Sequence, residues 1–331
     1  MRRLLAIATV TVALAGCEAG TTLSLAPGFY PSAVAHDPVH DRFFVASYAT
    51  GAVVILRRDG LRVASVRAPG AAAPVVQLAY DATARRLWTL TPDAVELIDL
   101  DATPTRRIAV AAVGASGRFV DLVTSGGRAF VLNAAEREVI EIATSRRSAR
   151  IVARLPHGPE HAPEAGAAQQ CAGAPGLDDG ALLALPDRSA LVVALDGGLW
   201  RIDLRTGAVE GVSLATPLPH VSQLVLLAAD GVALHVAALR GRANEAITLR
   251  LAPDARHAAV DAGTRRRFDT PLRGAQDGRD VVVLLGRLRH HPSFCGDGRP
   301  NLPPRFATYA PLAARADVAI ASSPPGAPRA R

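Results

Sequence analysis

The stretch Leu177–Leu214, LDDGALLALPDRSALVVALDGGLWRIDLRTGAVEGVSL, decides the fold. Ala181–Leu185 is a continuous apolar run ending at Pro186-Asp187, the pattern of a strand buried on both faces. Leu191–Leu195 is a second run, closed by Asp196-Gly197-Gly198. Glycine accepts a positive φ without penalty, so this closure reads as a hairpin. Trp200, Ile202 and Leu204 alternate with Arg201 and Asp203, the period of a half-buried strand. Arg205-Thr206-Gly207 turns the chain again, and Val209–Leu214 reads as an outer strand. A lone four-stranded meander has two exposed edges and one face to bury, so it needs copies of itself.

Working outward, the copies are present. They are Pro31–Val66, Val75–Ala111, Val120–Leu155 and Gln223–Asp261, with a sixth that begins at Pro271 and resumes at Arg305–Pro311 after a long loop. The outermost strand of the sixth is either Asp317–Ala321 or Thr22–Leu25, the latter closing a ring from the N-terminus. The corresponding positions Ser32, Val76, Val120, Gly180, Gln223 and Arg273 recur at roughly 45 residues, a period that signals repeated four-stranded units. The one longer gap is an insertion over 156–176, rich in Pro, Gly and Ala and read as a surface loop. The expectation is an all-β chain: a six-bladed β-propeller of four-stranded antiparallel blades over 29–322, with a late loop over 287–304 and a disordered tail over 323–331.

The first residues read as a targeting segment. Arg2 and Arg3 precede an apolar run from Leu4 to Ala15, too short to span a bilayer comfortably. The tail Leu14-Ala15-Gly16-Cys17 resembles the lipobox of bacterial lipoproteins. That resemblance implies a signal peptide over 1–16, cleavage before Cys17, acylation of its thiol, and a lipidated tether over 17–28. Glu18 suits the outer membrane by the same analogy, so the expected place is the cell envelope, lipid-anchored on the periplasmic side of the outer membrane.

The chain has 331 residues and contains no lysine, so every Lys/Arg charge is arginine. Loss of Arg2 and Arg3 lowers the formal net charge from +7 to +5. The remaining arginines fall in small groups at apparent turns rather than in one stripe, which argues against a nucleic-acid partner.

The repeated units resemble the SMP-30/gluconolactonase family, the regucalcin family of six-bladed propellers. YPSAVAHDPVHDRFFVASYATGAVVIL is similar to its first-blade pattern, and GALLALPDRSALVVALDGGLWRIDLRTG to a mid-chain blade. FDTPLRGAQDGRDVVVLLGRLRHHPSFCGDGRPNLPPRFATYAPL is similar to the end of bacterial members. The resemblance implies a divalent cation at the channel mouth that polarises a lactone and activates water. The positions that would hold it do not match: Ser32 stands at the first-blade Glu, Gly180 (with Asp179 before it) at the mid-chain Asn, and Ser222-Gln223 near the late Asp. A hydroxyl, a glycine and an amide do not replace the anionic oxygens a hard cation needs. No cofactor is therefore expected; calcium or zinc enters only with a catalytic reading.

Two function classes stay open. One is a non-catalytic module that binds a small molecule or an envelope protein at the channel mouth, around Ser32, His220 and Gln223. The other is a lactone or ester hydrolase with an altered site, for which Asp121 and Asp179 are the catalytic candidates. Trp88 and Trp200 fall on strand positions that face between blades, and a monomer is expected. Cys171 and Cys295 both lie in long insertions; in an oxidising compartment they are candidates for a disulfide, or two unpaired thiols.

Overall fold

The computed structural model describes residues 20–26, 28–67, 73–101, 106–112, 117–143, 148–157, 180–241, 243–268, 271–285 and 304–311. Every regular element among them is a strand, and the strands form six separate sheets. Blade one holds β2 (Pro31–Asp37), β3 (Arg42–Ser47), β4 (Val53–Arg57) and β5 (Arg62–Arg67) in consecutive order. Blade two holds β6 (Gln77–Asp81) to β9 (Arg106–Ala112), and blade three β10 (Phe119–Ser125) to β13 (Ser148–Arg154). Blade four holds β14 (Ala181–Ala184), β15 (Ala190–Leu195), β16 (Gly198–Asp203) and β17 (Val209–Gly211). Blade five runs from β19 (Gln223–Ala229) to β22 (His257–Arg267); blade six is β23 (Pro271–Asp277), β24 (Asp280–Leu285) and β25 (Arg305–Tyr309) with β1 (Thr21–Thr22) outermost. Neighbouring inner strands lie side by side, and β23 returns to β2, so the ring is closed.

The same turn chemistry punctuates each blade. Between the first and second strands an Asp carboxylate accepts the backbone N–H two residues on: Asp37 from Val39 (3.1 Å), Asp81 from Thr83 (3.0 Å), Asp187 from Ser189 (3.0 Å) and Asp230 from Val232 (3.0 Å). Asp59, Asp203 and Asp254 repeat the arrangement between third and fourth strands. Such turns satisfy backbone donors that the hairpin leaves over, which is why Asp recurs there.

The core is not one mass but six apolar clusters, one in each seam between blades. Trp88 packs between blades two and three, and Trp200 between three and four, as their strand positions predict. Polar ties cross the seams as well. Arg67 of blade one reaches Glu96 of blade two at 3.5 Å with both side chains buried, and Thr248 bonds Tyr309 at 2.9 Å between blades five and six.

Two expectations about outer strands are resolved. The outermost strand of blade six comes from the N-terminus: Thr21 and Thr22 pair with Phe306 and Arg305, and Leu23 donates to Pro304 O at 3.0 Å. The single outer strand expected at Val209–Leu214 is instead split. Val209–Gly211 pairs with β16, while Ser213–Leu214 forms β18, parallel to the start of β22 in blade five. The switch buries Val212 and Leu218 in the seam between the two blades and covers part of an open edge, so blade five carries five strands.

Candidate functional site at the channel mouth

The first strand of each blade is an edge strand, and its unpaired backbone groups face the axis of the ring. Those groups need partners. Pairing register identifies the equivalent residues around the ring: Ala33 opposite Ala46, Gln77 opposite Leu90, Asp121 opposite Leu132, Ala181 opposite Ala194, Gln223 opposite Leu239, and Arg273 opposite Leu284. Ser32, Val76, Val120, Gly180, Ser222 and Leu272 stand one place earlier. The sequence alignment that put Gln223 and Arg273 level with Ser32 is thus corrected by one residue. The cause is a bulge at the start of inner strands, seen between Pro31 and Ala33, Phe119 and Asp121, and Pro271 and Arg273. A bulge adds a residue that strand spacing alone does not count.

The corrected ring is a polar network. Gln77 donates its amide to Asp121 Oδ1 (2.5 Å); the Leu122 N–H also reaches Oδ1 (2.9 Å), and the Leu182 N–H of blade four reaches Oδ2 (2.7 Å). Gln77 Oε1 accepts the Leu78 N–H (3.0 Å), and Gln223 Oε1 accepts the Gly274 N–H (2.6 Å). Arg273 of blade six crosses the mouth, donating to Val120 O of blade three (2.8 Å) and to Ser222 O of blade five. Gln77, Asp121 and Arg273 are each 1% exposed. Burial pushes the Asp121 carboxyl above the usual carboxylate range; the Arg273 charge, the Gln77 amide and the two backbone N–H groups pull against that rise. The side chains therefore cap the open strand edges and tie four blades together across the axis.

The sites proposed from sequence fall as follows. Ser32 is fully buried, and its hydroxyl lies 2.5 Å from Val75 O and 3.4 Å from Ala46 O, at the seam of blades one and two. Asp121 and Gln223 belong to the ring. His220 lies two residues before Ser222, with φ 62° and intermediate burial. Asp179, Cys17, Cys171 and Cys295 lie outside the described residues. Gly180 precedes β14 where a Cβ would stand 2.7 Å from Val120 Cγ2, so the mid-chain position has no room for an Asn side chain without repacking. Gln77 and Arg273 were not identified as site residues from sequence. Their signal was available: both are polar at a ring position where blades one and four place alanine.

A divalent cation does not fit this donor set. Both Asp121 oxygens already accept N–H groups, the amide oxygens of Gln77 and Gln223 face backbone donors, and a guanidinium supplies the positive charge. Hard cations need several free anionic oxygens. Among the described residues, no group of three His, Cys, Asp or Glu side chains converges on a metal position.

Fold and mouth together define a six-bladed, four-stranded antiparallel propeller whose channel entrance is filled by its own side chains. Comparisons agree on the fold. A Bacteroides thetaiotaomicron protein of unknown function matches with TM-score 0.58 and 12% identity over 87% of this chain and 72% of that one. A calcium-binding protein, regucalcin, from Agrobacterium tumefaciens matches with TM-score 0.55 and 13% identity over 88% and 95%. The β-propeller domain of Myceliophteria thermophila Cps50 (Swd1) matches with TM-score 0.52 and 14% identity over 81% and 84%. At these identities the likeness is one of architecture. No protein-family model and no curated protein matches the chain.

Proposed function

We propose that this chain is a non-catalytic binding propeller of the bacterial cell envelope, held to the bilayer through acylated Cys17. The observation that carries the non-catalytic reading is the buried Gln77–Asp121–Arg273 network: its polar atoms are committed to backbone edges, and its net charge balances without a metal. A lactone hydrolase of the regucalcin type would need that position free for a cation and a water. The envelope placement rests on the sequence Leu14-Ala15-Gly16-Cys17 behind a short apolar run. The ligand, a small molecule or an envelope protein, is recognised by surfaces other than the filled mouth.

Expression of the full chain and of Cys17→Ala tests both parts. The full chain is expected in the membrane fraction and Cys17→Ala in the soluble fraction, with neither form hydrolysing a panel of aldonolactones and aryl esters. Unchanged fractionation would overturn the anchor. Lactone turnover that a chelator abolishes would overturn the non-catalytic reading and return the hydrolase, with Asp121 and Asp179 as its first candidates.

A further inference from the structure

Away from the channel mouth, at the far end of β2, a second charged cluster joins the first blade to the last. His36 is 7% exposed at its side chain and stacks on Phe43, with ring centroids 4.6 Å apart. Its Nδ1 lies 3.0 Å from the Gln276 carbonyl of blade six. A carbonyl only accepts, so Nδ1 carries the proton. Nε2 is then a lone pair. It is buried, has no hydrogen-bond partner, and lies 3.6 Å from Asp41 Oδ1.

The charged groups around it are few. Asp41 comes from the β2–β3 turn, Arg58 from the β4–β5 turn, and Asp277 from the end of β23 in blade six. Arg58 bridges the two carboxylates, reaching Asp41 Oδ1 at 2.7 Å and Asp277 Oδ2 at 2.5 Å. Asp280 stands beyond Asp277, where burial and the Asp277 charge push its carboxyl up. Asp37, next to His36 in sequence, is already bonded to His40 (2.8 Å) and Arg42 (2.9 Å). Arg58 therefore leaves the Asp41–Asp277 pair with one uncompensated negative charge, and the buried His36 Nε2 faces it.

We infer that His36 is a protonation-operated staple across the seam that closes the ring. With Nε2 bare, a lone pair confronts a carboxylate. When Nε2 takes a proton, it becomes a donor to Asp41, and a continuous chain Gln276–His36–Asp41–Arg58–Asp277 ties blade six to blade one twice. The proton is bound more tightly by the closed seam than by the open one. Closure therefore gains stability as pH falls through the imidazole range, about 5–8, and loses it as pH rises.

Unfolding rates of the whole protein in urea test this at pH 8 and pH 6, for the wild type, His36→Gln and Asp41→Asn. The ratio of the His36→Gln rate to the wild-type rate is expected to grow about three- to fivefold on moving from pH 8 to pH 6, the scale of one partly screened charged hydrogen bond. The same ratio at both pH values would overturn the staple. Asp41 is 59% exposed at its side chain, so Asp41→Asn keeps the fold if His36→Gln does not. It should lose the same pH-dependent part; an undiminished pH response in Asp41→Asn would equally overturn the inference.

Discussion

Arg273→Leu is expected to lower the unfolding free energy at pH 8 by about 3–5 kcal/mol, the scale found when one member of a buried charged pair is removed. The substitution removes the donors to Val120 O and Ser222 O and leaves the Asp121 carboxylate buried without its compensating charge. The pH dependence has a definite sign. The Asp121 carboxyl already sits above its ordinary range because of burial, and loss of Arg273 raises it further. A group raised in the folded state favours folding when protonated, so its cost grows as pH rises through the folded value and shrinks toward acid. Denaturant unfolding of wild type and variant at pH 8 and pH 5 should show the smaller difference at pH 5. Replacing both residues, Arg273→Leu with Asp121→Leu, should recover part of the loss, because no lone charge then remains buried. A cost under about 1 kcal/mol at pH 8 would mean that the guanidinium is not tied into the mouth.

Gly60→Val is the second large effect, and it acts at ring closure. Gly60 has φ 80°, and a Cβ there would lie 2.3 Å from Thr22 O and 3.1 Å from Thr21 Cγ2. The obstacle is the backbone of β1, which cannot rotate away. The same glycine accepts the Ser24 N–H at 2.9 Å. A side chain at this position pushes the closing strand from β25 and draws Leu23 out of the cluster it shares with Val34, Phe43 and Phe306. Strain and displacement together should cost about 2–4 kcal/mol, with faster proteolysis in the segment before β2. Gly278→Ala is the control. Its φ is 62° but nothing lies within 4 Å of the added carbon, so only backbone strain remains, about 1 kcal/mol. Equal losses at the two glycines would show that closure by β1 contributes nothing.

Much of the fold was legible in the sequence because it is written six times. Apolar runs such as Leu191–Leu195 and turn residues such as Asp187 and Asp203 recur in register, and the N-terminal Thr22–Leu25 was one of only two segments able to complete the last blade. The split of Val209–Leu214 was not legible. Its two halves have the same β propensity, and what separates them is the partner each one finds in a neighbouring blade. The site was less legible than the fold for a related reason. Inner-strand bulges shift the count by one residue, so Ser32 looked level with Gln223 and Arg273 and the ring around Asp121 was read one residue out. Nothing local marks Arg273 as a residue that crosses the axis; its partners Val120 and Ser222 are carbonyls from blades far away in sequence, and backbone acceptors carry no sequence signal.

The account rests on a channel mouth that supplies its own cation. Titration calorimetry of the whole chain with calcium, and separately with zinc, tests that claim most directly. No saturable binding by the wild type is the predicted result, since the Asp121 oxygens are committed and Arg273 repels a second positive charge. Saturable binding that Asp121→Asn abolishes would contradict it, and would place a metal where the guanidinium is now assigned.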